Sequence, residues 1–570
     1  MPKLRRLTHA SLPMALLGAL CLAQSGQAPE LTTHDAPATF TSRVNLVLVP
    51  VVVRDLQGRA VGDLRQSDFL LFDKGKPQLI TKFSVEKTGA PPAVVVAAGP
   101  AASSGSQDNP NTPPPAPEHF IAYLFDDVHI DSGDLMQARS AAMQHFTEGS
   151  DPSTRIAIYT TSGQISLDFT DDREKIRETL DRIRPTSLRS PSETNCPDIN
   201  YYMADAIVNQ HDQVAAQAGA QEDMACTGAD EKSAEAEVMA LAMSKLNTGE
   251  QETRLGFEAL KQTIRHISER PGSRSVIFVS PGIFVPQELR PDESAIMDLA
   301  IRANATISSL DARGVYTSIP GGDASQRGPQ SSAGGVFAQY DFFGAAAQSD
   351  LMGELADATG GALFQSDNRL KEGFRQLSAQ PEFIYVLGFA PQNLRFDGKF
   401  HALKVTLKNP ALKQLALQAR RGYYAPRRET DPQEEANEEI REAVFSRDEI
   451  QDIPVDLNMQ FFKVGDASAK LTVIARVDVK RLHFEKSNER NNDTLTLVSS
   501  LFDRNGNFIS GVQKTVEMRL RDRTLDALPS SGLAIRTVLD VAPGSYAVRL
   551  VVRDSEGQTM AARNGAVVIP

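Results

Sequence analysis

The stretch His119–Leu135, HFIAYLFDDVHIDSGDL, decides how the chain is read. FIAYLF is a continuous apolar run that stops abruptly at Asp126 and Asp127. An extended segment with no polar face predicts a strand buried in a sheet that is covered on both sides. The next segment, SGDLMQARSAAMQHFTEG, places Leu135, Ala138, Ala142 and Phe146 in an apolar stripe, with Ser132 as its expected cap. The two aspartates therefore stand where a strand hands over to a covering helix.

The same alternation recurs downstream. RIAIYTTSG reads as a second strand, and TDDREKIRETLDRI as a helix opened by Thr170. TRLGFEALKQTIRHISERPGSRSVIFVSPG gives a helix, a turn and a third apolar strand. DESAIMDLAIRANATISSLDARGVYTSIP repeats the unit, SDLMGELADATGGALF adds another, and PEFIYVLGFAP completes the series. Short apolar strands alternating with helices predict a Rossmann-like α/β domain over residues 119–426. Two segments interrupt it. Residues 187–250 hold Cys196, Cys226 and an Ala/Glu-rich stretch; residues 319–348 are rich in Gly, Ser and Ala, with Phe337, Tyr340, Phe342 and Phe343 near their end. Both read as surface insertions of the kind that often carry recognition.

β patterns flank this unit. Residues 40–95 contain strand-like Val44–Val53, turns at Gly58 and Gly75, and the alternating TKFSVE, so a small N-terminal β domain is expected. Residues 96–118 form a Pro/Ser-rich linker. DGKFHALKVTLKNPALKQLALQARRGYYAP alternates at period two and is expected to add an edge or hairpin to the α/β sheet. Residues 427–452 are a charged connector, and residues 453–570 return to β pattern with turns at Asp503–Asn507 and Asp554–Gly557. PGSYAVRLVVRD resembles a late strand of an immunoglobulin-like β-sandwich, the expected C-terminal domain.

With 570 residues and 41% hydrophobic content the chain can bury several cores. Its 60 basic and 72 acidic residues give a net charge of -12, so it lacks the basic footprint of a nucleic-acid binder. Residues 1–28 combine Lys3, Arg5 and Arg6 with an apolar core and small residues near Ala23 and Ala28, the pattern of a secretory signal peptide. Cys21 follows bulky Leu20, which argues against a lipoprotein anchor. No later apolar run is long enough to span a bilayer. A secreted or periplasmic protein is expected, with no integral membrane segment after cleavage. In an oxidising compartment Cys196 and Cys226 are expected to form a disulfide, worth up to roughly 3–4 kcal/mol for a loop of about 30 residues; two reduced structural thiols are the alternative.

The chain resembles the bacterial von Willebrand factor A-related family described mainly from acidobacteria. The resemblance rests on the signal peptide and on VPVVVRDLQGRAVGDLRQSDFLLFDKGKPQLITKF, YLFDDVHI, SRSVIFVSPG and YVLGFAP…FDGKFHALKVTL…ARRGYYAP, across about residues 40–426. It implies an exported binding or assembly protein, with a protein or cell-envelope component as partner, no cofactor and no enzymatic chemistry. A-type domains usually hold a divalent cation, Mg²⁺ or Ca²⁺, through Asp-x-Ser-x-Ser and through a Thr and an Asp from two later loops.

This sequence departs from that signature. With Asp126 as the first aspartate, the serine positions fall on Val128 and Ile130, which offer no side-chain oxygen. Starting at Asp127 places His129 and Asp131 there instead. NCPDINYYMADAI supplies no clean threonine, and Ser280-Pro281-Gly282 stands where an Asp-Gly turn is expected. The candidate metal residues are thus Asp126, Asp127, His129 and Asp131, with a metal-free reading preferred, in which the carboxylates accept bonds from loop amides. A hydrolase would use His129 with a nearby aspartate, but needs a nucleophile. TTSGQ reads only as a strand exit, and Asp126 and Asp127 on an extended strand would point to opposite sides. The preferred expectation is a non-enzymatic protein-interaction or adhesion module. A cation-dependent adhesion module and a secreted hydrolase are the alternatives.

Overall fold

A computed structural model describes residues 30–570, apart from 39–46, 57–58, 88–94, 97–117, 149–150, 152, 187–195, 316–330, 380, 390, 392–398, 410–411, 413, 426–431, 447–448, 466 and 529–531. The expected signal peptide and nearly all of the expected linker lie outside the described residues. The chain is a mixed α/β protein with several sheets.

The α/β unit is built around a six-stranded sheet in the spatial order Leu363–Phe364, Ala305–Asp311, Ser273–Ser280, His119–Phe125, Thr154–Thr160, Ser166–Thr170. All neighbours are parallel except the last strand, which is antiparallel to Thr154–Thr160. Every residue of His119–Phe125 is buried, because successive side chains feed opposite faces. Ile121, Tyr123 and Phe125 pack under α1 (Ser132–Thr147), α2 (Arg173–Arg182) and a later helix, Leu370–Ser378. Phe120, Ala122 and Leu124 pack against Phe257, Leu260 and Ile264 on the other face, with Ile296, Leu351 and Leu355.

The 187–250 segment forms α3 (Tyr201–Val208), α4 (Gln213–Thr227) and the first half of α5 (Glu231–Ser268), whose second half covers the sheet. After α6 (Arg290–Arg302), α7 (Gly334–Thr359) turns much of the expected Gly/Ser/Ala-rich insertion into helix. Phe337 and Tyr340 fall on one face and are buried with Met203, Ala215, Val238 and Leu246. The described parts of the two insertions therefore form one helical annex with its own core. Helical spacing of aromatic and alanine residues outweighed the loop-like composition.

Two expectations about the β segments need correction. The 40–95 segment is not a β domain on its own. Val47–Arg54 pairs with Ala416–Ala419 and with Phe383–Phe389, which also pairs with Lys82–Lys87. Phe69–Asp73 pairs with Phe400–Leu407, which in turn pairs with Gly422–Tyr424. Two four-stranded sheets enclose a shared core that includes Val49, Val51, Phe69, Tyr385 and Phe389. The second correction follows: PEFIYVLGFAP and the strands after it do not extend the α/β sheet. The α/β unit is inserted within a β unit made from both sides of it. Tyr385 locks this arrangement, accepting from the Leu64 amide at 3.1 Å and donating to the Val61 carbonyl at 2.8 Å.

Leu370–Ser378 is α8, and the connector contains the next helix, α9 (Pro432–Phe445). Ile440, Val444 and Phe445 pack on Val498, Phe502 and Val551 of the C-terminal unit. That unit is a two-sheet β-sandwich: Val455–Gly465, Ser468–Val477 and Leu533–Val541 face a larger, mainly antiparallel sheet across one apolar core. The larger sheet recruits Leu31–Pro37 as an antiparallel neighbour of Phe508–Leu520, and Val95–Val96 beside Thr559–Ile569. No described helix is long and apolar enough to cross a membrane.

Candidate functional site

The site lies at the carboxyl end of the parallel strands, where helix starts and loop amides gather. The Asp126 amide donates to the Val279 carbonyl at 2.9 Å, and the Thr161 amide to Phe125 at 3.0 Å. These bonds bring the exits of three neighbouring strands together. Asp126 and Asp127 are 0% and 1% exposed, so their charges must be met by protein donors.

Those donors are present. Asp126 accepts from the amides of Val128 and His129 at 3.3 and 3.2 Å, from Thr161 Oγ1 at 3.0 Å and from Ser280 Oγ at 2.7 Å. His129 Nδ1 lies 2.9 and 3.0 Å from its two carboxylate oxygens. Asp127 accepts from the Ser162 amide at 2.8 Å, from the Ser162 hydroxyl and from Thr186 Oγ1 at 3.2 Å, and it shares the single Thr161 hydroxyl proton with Asp126, Thr161 Oγ1 lying 2.9 Å away. Burial penalises the Asp126 charge, but the adjoining His129 and the Ser280 hydroxyl outweigh it and hold the carboxyl below its ordinary pKa.

Asp126 and Asp127 both reach the Thr161 hydroxyl, so the expected divergence of the two carboxylates does not occur. The chain has already left the strand at Phe125. Asp131 is exposed and is the N-cap of α1 without a side-chain capping bond; Ser132, expected as the cap, is the first helical residue. Of the four candidate metal residues, the structure joins Asp126, Asp127 and His129 in one network with Thr161, Ser162, Thr186 and Ser280, and leaves Asp131 at the helix entrance. Thr161 and Ser162 sit in the TTSGQ segment that reads as a strand exit. Their signal in the sequence was position: polar residues directly after a buried apolar strand.

This arrangement departs from the usual cation-holding signature at both serine positions. Such an ion needs oxygen ligands and open coordination positions. Here the His129 ring occupies both oxygens of Asp126, and Val128 and Ile130, each 3% exposed, fill the positions where hydroxyls would be needed. Two of the hydroxyls are committed to the carboxylates: Ser280 donates to Asp126 and Ser162 to Asp127. The His129–Asp126 pair instead fixes the loop, and Gly256 of α5 lets the helix approach, since a Cβ there would lie 2.6 Å from Ile283 Cδ1 and 3.5 Å from His129 Cε1.

Cys196 and Cys226 are bonded, their Cα atoms 6.1 Å apart. Glu222 Oε1 lies 3.7 and 3.8 Å from the two sulfurs, and its other oxygen accepts from the Ser331 amide at 2.8 Å. The disulfide thus sits where the two insertions meet.

No protein-family model matches the chain, and no curated protein matches it. Solved structures give distant likenesses. An aerotolerance-related membrane protein from Bacteroides fragilis is 10% identical, with 45% of this chain and 97% of that one covered, at a TM-score of 0.23. The conserved hypothetical protein BatB from Bacteroides thetaiotaomicron is 13% identical over 46% and 96%, at 0.22. The pilus adhesin SpaC from Lactobacillus rhamnosus GG is 8% identical over 80% and 56%, at 0.23. Likeness this low carries no argument about this chain, so its family and activity rest on its own residues.

Proposed function

We propose that this protein is an exported, non-enzymatic protein-interaction or adhesion module acting in the periplasm or at the cell surface. In this reading the α/β unit is a von Willebrand factor A-type domain whose metal site has been replaced by a protein-only network, and the C-terminal sandwich is immunoglobulin-like. The partner is a protein or cell-envelope component. The observation that carries the reading is an aromatic surface beside the sheet's carboxyl edge. Phe342 and Phe343 on α7 are 54% and 41% exposed, and Phe343 lies 6.5 Å from Tyr202 between ring centroids. Tyr202 packs edge-on against Phe284 at 5.2 Å, in the segment that leaves strand Ser273–Ser280. Exposed aromatics grouped on a rigid helical support are the residue types that anchor protein interfaces.

The test is site-specific photocrosslinking in the producing cells. A crosslinker at Phe342 should capture one defined envelope protein, and a crosslinker at exposed Phe462, on the C-terminal sandwich, should not. The double substitution Phe343→Asp with Tyr202→Asp should abolish the Phe342 adduct. Equal capture from both positions, or capture that survives the double substitution, would overturn the proposal. Titration of the purified protein with Mg²⁺ or Ca²⁺ should leave its melting temperature unchanged, whereas a saturable rise lost in Asp126→Ala would favour the cation-dependent alternative.

A further inference from the structure

A second site lies at the opposite end of the parallel sheet from Asp126. A cavity of about 390 Å³ opens where the amino ends of the parallel strands, the inserted-into β unit and α9 meet. Its apolar wall includes Val47, Ile301, Ile384, Val386 and Phe445. The volume falls within the range of small-molecule pockets.

The charges around it are mostly matched. Arg302 pairs with Asp298 at 2.9 Å, Arg441 with Glu438 at 3.4 Å, and Lys82 with Glu442 at 3.5 Å. Arg420 is different. It is 5% exposed and lines the cavity, yet among the described residues its guanidinium makes one long hydrogen bond, 3.4 Å from Nη1 to the Ile301 carbonyl. Its Nε has no partner among the described residues. Glu442 acts on it through its field, but that carboxylate is bound to Lys82 and makes no hydrogen bond to Arg420. Burial lowers the Arg420 pKa to about 10, which still leaves it charged at neutral pH. A buried cation with unmatched donors is costly unless an anion meets it. The planar fork of a guanidinium suits carboxylate and phosphate oxygens.

We propose that this cavity binds a small amphiphilic anion, its carboxylate or phosphate held by Arg420 and its apolar body lodged against Val386, Ile384 and Phe445. Because the wall is shared by three parts of the chain, the ligand would tie them together, and its binding should raise the melting temperature of the whole protein.

The test is calorimetric titration of the full mature protein with octanoate, octyl phosphate and octanol, each below its aggregation concentration. Octanoate or octyl phosphate should bind saturably, and octanol at least about tenfold more weakly. The stronger of the two anions identifies which headgroup the cavity takes. Arg420→Gln should lose at least about tenfold in affinity for that anion while leaving octanol binding unchanged. Absence of heat and of a melting shift with both anions would overturn the proposal. So would octanol binding as tightly as the anions, a comparison that needs no variant and stands even if Arg420→Gln fails to fold.

Discussion

Asp126 is a buried charge kept ionised by its neighbours. Its folded-state pKa is depressed below 3.8, so its stabilising contribution is present in full above that value and is lost as pH falls through the folded value. Asp126→Asn keeps the shape and removes the charge that faces His129. The expected loss is about 3 kcal/mol near neutral pH, measured by urea unfolding, and the gap to the unaltered protein should close in acid. A loss under about 0.5 kcal/mol would place Asp126 among ordinary surface positions and refute the network's role. Asp493 behaves in the opposite sense. Burial first, and Asp554 beside it second, raise its pKa from 3.8 to about 7. The folded state therefore holds a proton that the unfolded state releases, and stability declines as pH rises from 3.8 to about 7. Asp493→Asn should be more stable than the parent at pH 8 and should lose that advantage towards pH 4, as read from melting temperatures. At this scale the sequence showed where a charged loop would begin, because FIAYLF ends at Asp126. It did not show the donors. Thr161, Thr186 and Ser280 lie 35, 59 and 154 residues away from their aspartate partners, and no local pattern links such positions.

Helix α5 shows what an element requires beyond its own periodicity. Gly249 lies inside this 38-residue helix, where alanine would ordinarily be favoured by about 1 kcal/mol. A Cβ at Gly249, however, would stand 2.4 Å from the ring of Tyr201 on α3. That ring is in turn held edge-on against Phe284 at 5.1 Å. Gly249→Ala should therefore destabilise the annex, by about 1–3 kcal/mol from overpacking offset in part by helix propensity. Hydrogen exchange should quicken in α3 and α4 while the strands of the α/β sheet stay protected. An unchanged or raised melting temperature would show that Tyr201 moves aside freely. Helices such as α2 were legible because Ile176 and Leu180 mark one face, while the N-cap is Asp172, two residues past the expected Thr170. Strand existence was legible too, in Val47–Arg54 and Phe383–Phe389 alike. Their pairing was not, because alternation reports which face is buried and says nothing of a partner more than 300 residues away.

At the scale of the whole molecule, residues 31–37 are joined to the C-terminal sandwich. Leu31–Pro37 lies along Phe508–Leu520 in seven-residue register, and it is anchored by Lys514 to Asp35 at 2.8 Å and by Arg521 to Glu30 at 3.4 Å. The C-terminal sandwich also docks on the α/β unit: Arg504 meets Asp171 at 3.1 Å, and Gly506 sits where a Cβ would strike the Phe120 ring. The β pattern of residues 453–570 marks the sandwich, whereas Leu31–Pro37 has mostly exposed side chains and gives no core signal. Its contribution is to cover an edge. Without it, Val512–Met518 within the strand Phe508–Leu520 would present unpaired amides and carbonyls, the template on which another chain can pair. A protein beginning at residue 39 should therefore fold its α/β unit but associate with itself, with molar mass by light scattering rising with concentration. Adding back a synthetic peptide of residues 30–38 should restore the parent's mass by refilling the edge. If the shortened protein keeps the parent's mass and melting temperature, the edge is protected by something other than this strand.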